Sequence, residues 1–219
     1  MAKNVKIRIA LSGARKASKG LGLVASGLTS IGSKATLITA KLGLAGGAFA
    51  VLSTKLAGDF QKNLFEVRTL MGETGQSIES MSKELRNASA SSGLALSSLS
   101  KAKYDIVSAG FAGAAESAKV LNATTLLAVG GVTSAAAAAD LLTTSLNAYG
   151  KSSEESERVA DELFTTVRLG KTTMSELAGA LGQVLPFAKS ANLDLQGVGA
   201  AMATLTASGI NTFEATTAL

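Results

Sequence analysis

From Leu21 to Leu56 the apolar residues recur at alternating steps of three and four. They are Leu21, Val24, Leu28, Ile31, Ala35, Ile38, Leu42, Ala45, Phe49, Leu52 and Leu56, five heptads of a and d positions. A seam this long predicts a coiled-coil-like helix. Ahead of it, Val5, Ile7 and Ile9 alternate with Lys6, Arg8 and Ala10, a period of two that predicts a short strand. Beyond Asp59 the pattern breaks into short amphipathic stripes. Phe60, Leu64, Val67 and Met71 share one helical face, and Ile78, Met81, Leu85 and Ala88 the next. Leu99, Ala102, Ile106 and Val107 form a third, and Ala138, Leu141, Leu142, Ser145 and Tyr149 a fourth. Val159, Leu163, Phe164 and Val167 follow, then Leu177, Leu181, Val184, Leu185 and Ala188, then Val198, Met202 and Leu205. The predicted fold is all-α: an array of short antiparallel helices or helix hairpins, preceded by the strand and the long basic helix.

Punctuation along the chain agrees. Ser152-x-x-Glu155 and Thr173-x-x-Glu176 are capping-box patterns, and Ser98 and Thr212 are candidate caps elsewhere. Gly110, Gly130, Gly150 and Gly170 stand twenty residues apart near the ends of stripes, where a left-handed C-cap suits Gly. Ile106, Leu146 and Leu205 each lie four residues before a Gly, with Glu116, Glu155 and Glu214 following five or six residues later. Helix hairpins stacked at roughly forty residues would write such a phrase. Pro186 inside its stripe predicts a kink or an early helix end.

Charge divides the 219 residues in two. Of 21 Lys and Arg, nine precede Asp59 and no acid does; the rest of the chain holds 12 bases and all 16 acids. A boundary near Gly58 follows, with residues 1–58 an oligomerisation or partner segment and 59–219 a helical core region. In the heptad seam Lys34, Lys41 and Lys55 all fall at g, while the e positions Ala25, Gly32, Thr39, Gly46 and Ser53 offer no acid to pair with them. Gly20, Gly22, Gly27, Gly32, Gly43, Gly46 and Gly47 each cost about 1 kcal/mol against Ala in a helix interior, so this helix needs a partner. Self-association, docking on the rest of the chain, or an anionic membrane with lysines snorkelling would each supply one. No spanning helix is expected. The run Leu42–Thr54 is too short, and Val120–Ala139 and Leu195–Phe213 are broken by Asn, Thr, Ser and Gly.

Candidate chemistry is sparse. The chain has no Cys and no His, so thiol nucleophiles, Cys-ligated zinc, imidazole bases and Ser-His-Asp triads are excluded. Ser80-x-x-Lys83, Ser98-x-x-Lys101 and Ser100-x-x-Lys103 match an acyl-transfer spacing without any companion motif. Gly20-x-Gly22-x-x-Ala25 resembles a dinucleotide fingerprint but comes nine or ten residues after the strand and lacks the later acid. Glu154, Glu155, Glu157, Asp161 and Glu162 read as a solvated helix start. The basic segment has no interleaved aromatics, so it carries no specific nucleic-acid site. No catalytic, cofactor-binding or metal residue is assigned, no cofactor is expected, and the chain does not read as an enzyme.

The landmarks after Asp59 form a recognisable combination. Asp59-Phe60-Gln61 with Val67, Thr74-Gly75 with Leu85 and Ser89, and Ile106-Val107-Ser108-Ala109-Gly110-Phe111 come in order. Leu146-Asn147-Ala148-Tyr149-Gly150 and Glu157-Arg158-Val159-Ala160-Asp161 follow. Then come Thr173-Met174-Ser175-Glu176-Leu177-Ala178 with Pro186-Phe187-Ala188, and Leu205-Thr206-Ala207-Ser208-Gly209-Ile210 with Glu214-Ala215-Thr216-Thr217-Ala218-Leu219. Nearly all of this part resembles the conserved N-terminal region of phage tail tape measure proteins; Thr216 departs, standing where the family usually has Gly. The resemblance implies a virion structural protein in the tail lumen, made in the bacterial cytoplasm. It implies a homo-oligomer with tail tube and assembly proteins as partners, acting in tail assembly, length determination and genome ejection, with contact to the host membrane at ejection. The long helical remainder that sets length would follow Leu219, so the expectation is an N-terminal portion. The alternatives are a truncated prophage accessory protein, or a membrane-active protein inserting residues 14 to 56.

Overall fold

The computed structural model describes the backbone of residues 46–72 and 75–219 and the side chains from residue 57 onward. The strand expected at Val5–Ile9, the Gly20-x-Gly22 turn and the heptad seam up to Ala45 lie outside the described residues, as do the seam's side chains up to Leu56. Contacts divide the chain into two units, 1–56 and 57–219. Among the described residues there are nine α-helices and no strand. They are α1 (Gly46–Met71), α2 (Ile78–Ser92), α3 (Leu96–Ser108), α4 (Ala114–Gly130), α5 (Ala135–Tyr149), α6 (Ser156–Leu169), α7 (Met174–Ser190), α8 (Leu195–Ala207) and α9 (Thr212–Ala218). A 3-10 turn, Ser153–Glu155, leads into α6. No helix among the described residues is long and apolar enough to cross a membrane.

Within unit 57–219 most helices from α3 onward pack chiefly on the next but one, while α2 and α4 lean at least as much on the helix that follows them. α3 lies on α5, α5 on α7 and α7 on α9; α4 lies on α6 and α6 on α8. The result is two layers of stacked helices. The odd layer begins its helices at residues 96, 135, 174 and 212, a nearly constant step. This is the forty-residue hairpin stacking expected from the repeated phrase, and it recurs in the polar contacts between helices. Ala135 N–H donates to Ser98 Oγ (3.2 Å), Asn147 Nδ2 to the Ala109 carbonyl (2.9 Å), and Tyr149 OH to the Leu193 carbonyl (3.1 Å). Lys171 N–H donates to Thr206 Oγ1 (3.2 Å), and Thr172 and Thr212 share a hydroxyl bond of 2.7 Å. These partners are 35 to 44 residues apart.

The amphipathic stripes supply the core between the layers. Leu64, Val67, Met81, Leu85, Leu99, Ile106, Leu142, Leu146, Val159, Leu163, Leu177, Leu185 and Met202 are all at most 2 % exposed. Ser and Thr on buried faces donate into their own helix: Thr125 Oγ1 to the Leu121 carbonyl and Ser145 Oγ to the Leu141 carbonyl, both at 2.8 Å. That bond satisfies the hydroxyl internally and lets a polar residue occupy a core position.

Several helix ends share one pattern. After α3, Phe111 N–H reaches the Ile106 carbonyl and Gly110 N–H the Val107 carbonyl. Lys151/Leu146 with Gly150/Asn147, and Ile210/Leu205 with Gly209/Thr206, repeat that pair of bonds. This is the Schellman closure, in which one residue turns left-handed. The repeated Ile/Leu-x-x-x-Gly phrase therefore encodes a helix end. The glycine expectation needs correction, however. Gly150 (φ 62°) and Gly110 (φ 106°) are left-handed, but Gly130 is the last residue of α4 and Gly170 is extended (φ −93°, ψ 173°). At the α4 end the left-handed position belongs to Val132 (φ 51°). Two cap assignments also change. Asn211, not Thr212, caps α9, and Ser98 caps not its own helix but the start of α5. Pro186 does not end its helix, which runs on to Ser190.

Val132 is 92 % exposed, so packing does not compensate its conformation. A left-handed L-residue costs about 1–2 kcal/mol, and a β-branched one is a true outlier there. Val132→Gly is expected to raise stability by about 1 kcal/mol after the entropic cost of Gly is subtracted. A thermal midpoint higher by about 2–4 °C is the readout, and an unchanged or lower midpoint refutes the assignment.

Candidate functional site

The three Ser-x-x-Lys pairs are not assembled for catalysis. Ser100 Oγ donates to the Ser97 carbonyl (3.0 Å) and accepts from Asn63 Nδ2 (3.0 Å). Lys103 turns instead to Glu84 (2.9 Å). Ser98 is engaged with Ala135 and Lys101 with Asp105, while Ser80 accepts from Gln76 and Lys83 is exposed. Among the described residues no group of three or more His, Cys, Asp or Glu is placed to hold a metal ion.

Lys103 is the feature that sequence reasoning missed. It projects from α3 and is fully buried, with Glu84 of α2 as its ion-pair partner. Gln76 Nε2 donates to the other Glu84 oxygen (2.7 Å), while Gln76 Oε1 is buried without a partner. Burial lowers the Lys103 pKa below its ordinary value, and the Glu84 charge opposes that shift. The stripe Leu99, Ala102, Ile106, Val107 already implied that position 103 turns inward beside it. A long stem ending in a charge disguised the fact.

A second polar knot ties the start of α7 to α9. Thr173 caps α7 in a capping box with Glu176. Glu176 Oε2 accepts from Thr173 N–H (3.0 Å), Thr172 Oγ1 (3.3 Å) and Thr212 Oγ1 (3.2 Å). The Thr173 backbone bond, with the hydroxyls adding to it, holds the Glu176 carboxyl below its usual range. A depressed carboxylate contributes stability above its unfolded pKa and loses it as pH falls through the folded value. Glu176→Gln should therefore destabilise the protein at neutral pH, and the gap to the parent should narrow on acidification below the ordinary value of 4.5. Urea midpoints at a series of pH values check this, and a gap that widens in acid refutes it.

The acidic cluster lies at the start of α6 and along its outer ridge. Ser152 and Glu155 form the expected capping box. Glu155 accepts from Lys151 (3.1 Å) and Arg158 (2.5 Å), and these bonds, Lys151 first, lower its pKa. Arg158 also reaches Glu162 (2.7 Å), Lys119 pairs with Glu154, and Asn122 Nδ2 donates to Glu157 (3.3 Å). Among the described residues Glu157 and Asp161 have no ion-pair partner.

An apolar groove runs on each side of this ridge. Between α4 and α6, Ala123, Leu126, Leu127 and Phe164 line about 300 Å³, with Glu157 and Asp161 at the rim. Between α6 and α8, Leu169, Ala200 and Ala203 line about 310 Å³, with Arg158, Asp161 and Glu162 above. α6 and α8 come close because their contact is made by small residues. A Cβ on Gly199 would sit 2.4 Å from Thr166 Oγ1. Leu126 and Leu169 are each 61 % exposed, so both grooves present apolar surface to solvent.

A family model described as phage-related minor tail protein matches residues 82–219. A probable tape measure protein of Clostridium phage phiCD119 is 30 % identical over 157 residues, 70 % of this chain and 17 % of the relative. A tape measure protein of Pneumococcus phage Dp-1 is 26 % identical over 196 residues, 90 % of this chain and again 17 % of the relative. The chain thus spans about a sixth of the length of these curated relatives. No solved structure matches it.

Proposed function

The chain belongs to the phage-related minor tail protein family, and from that membership we propose that it is the N-terminal portion of a tail tape measure protein. It acts as a structural scaffold in tail assembly and length determination, housed in the tail lumen while tube subunits polymerise around it, and it leaves with the genome at ejection. The observation that carries this reading is the family match across residues 82–219, the stretch that folds as the stacked array.

The array itself suits anchoring and assembly rather than measuring. A ruler needs length, and a straight α-helix gains 1.5 Å per residue. Here the helices stack on near neighbours in the chain, so its contour is folded away into layers. Measuring falls to the rest of a protein whose relatives are several times longer. Basic, apolar residues before Asp59 supply a self-association segment, which makes the scaffold a homo-oligomer.

Electron microscopy of particles tests the proposal. A phage whose gene lacks the codons for residues 82–219 should yield few tails or tails of irregular length. Normal numbers of tails at normal length would overturn it.

A further inference from the structure

Three neighbouring helices present three kinds of surface to solvent. In the stack α4 lies between α2 and α6, both of which pack on it. On α2, Lys83 and Arg86 are exposed and, among the described residues, have no ion-pair partner. On α6, Glu157 and Asp161 are exposed and equally without one. On α4, Leu126 and Val129 leave 61 % and 49 % of their surface in solvent. A basic, an apolar and an acidic strip thus stand side by side. We propose that this face pairs with the same face of a second copy of the chain, about a two-fold axis running along α4. The inference rests on charge and packing and not on the tail reading.

Complementarity names the occupant. In a two-fold contact the same patch serves on both copies, so whatever lies left of the axis meets what lies right of it. Rotation about α4 lays the α2 of each copy over the α6 of the other. Lys83 and Arg86, three residues apart, then face Glu157 and Asp161, four residues apart, and each pair spans about one helical turn. Both members of a pair carry the same sign, so the match holds for either helix direction. At the axis Leu126 and Val129 meet their own counterparts, which suits apolar groups and would not suit charges. The groove of about 300 Å³ between α4 and α6 opens beside that line and offers the partner's aliphatic side chains a seat. Lys119, further back on α4, is already neutralised within the chain by Glu154. An overlay of α6 on α6 would instead set Glu157 and Asp161 against themselves.

Sedimentation velocity of the full chain between about 50 and 500 mM salt tests this, because exposed charge pairs are screened over that range. The parent should associate at low salt and dissociate as salt rises. Lys83→Glu/Arg86→Glu should weaken association about tenfold, and Glu157→Lys/Asp161→Lys should do the same. An equimolar mixture of these two variants should recover the parental association, because the acidic strips of one copy then meet basic strips of the other on both sides of the axis. Leu126→Asp, which brings two acids together at the axis, should weaken association at least as strongly. Asp140→Lys/Glu214→Lys, a charge change at exposed sites on α5 and α9, should leave it unchanged. All the substituted side chains are exposed, and far-UV circular dichroism verifies the fold of each variant. A chain that stays monomeric at the lowest salt, charge reversals without effect, or a mixture that fails to recover would each overturn the proposal.

Discussion

Glu84→Met destabilises the protein by about 3 kcal/mol, whereas Lys103→Met costs about 1 kcal/mol and the double variant returns close to the parent. The asymmetry follows from exposure. Lys103 is wholly enclosed, while the Glu84 side chain keeps 20 % of its surface in solvent and a second bond from Gln76. Removing Glu84 leaves a buried ammonium without a counter-charge; removing Lys103 leaves a carboxylate still solvated and hydrogen-bonded. Replacing both by apolar side chains removes the two desolvation costs together. Urea midpoints of the three variants decide it, and equal losses for the two single substitutions would refute it. The pH dependence adds a second check. Since burial lowers the Lys103 pKa, the folded state holds its proton less readily than the unfolded chain. Stability from this site therefore rises as pH climbs from the lowered value towards 10.5. The penalty of Glu84→Met should shrink in alkali, where Lys103 can fold uncharged.

Gly170→Ala is expected to cost about 2 kcal/mol, and Gly170→Val more, because the new carbon has nowhere to go. Its Cβ would stand 2.6 Å from Thr206 Oγ1, 3.0 Å from the Ala203 Cα and 3.0 Å from the Thr166 carbonyl. The Ala203 Cα is backbone of α8, so relief there requires α6 and α8 to part, while the Thr166 carbonyl belongs to the helix that Gly170 itself ends. The control is Gly209→Ala, where nothing lies within 4 Å of the new atom but φ is +99°. There the cost is conformational, about 1 kcal/mol. Thermal unfolding of the two variants separates close approach from backbone preference. A Gly170→Ala variant as stable as the parent would show that α6 and α8 yield freely.

The seven stripes named from the sequence each fall within a helix, because their apolar residues are spaced for one face and that face is buried. α4 and α9 are the helices that no stripe announced, and α4 is the longer. Its buried positions include Ser117, Thr124 and Thr125, while Leu126 and Val129 point outward, so its polarity is blurred on both sides. The capping boxes were legible since each needs only two residues at fixed spacing. Caps made across helices were not: Ser98 serves a backbone 37 residues away. The left-handed Val132 defied the rule that Gly fills such places. At the candidate site the acids of α6 were visible as a cluster, but the grooves beside them were not. Grooves arise from which helices become neighbours, and a next-but-one pairing leaves only a faint trace in a single chain. The resemblance to tape measure proteins rested on short landmarks, several of which prove to be helix ends: the phrases at Gly110, Gly150 and Gly209 are all Schellman closures.

The next-but-one stacking has a mechanical consequence. The principal contacts of every described helix in unit 57–219 reach no further than the second helix along the chain. Tension applied at an end then meets only the last helices of the stack, and each that peels away exposes the next to the same load. Such an assembly yields in a series of small ruptures rather than one large one. Within this unit each layer is rebuilt from contacts between near neighbours along the chain, so order lost at one end leaves the other end's stacking intact.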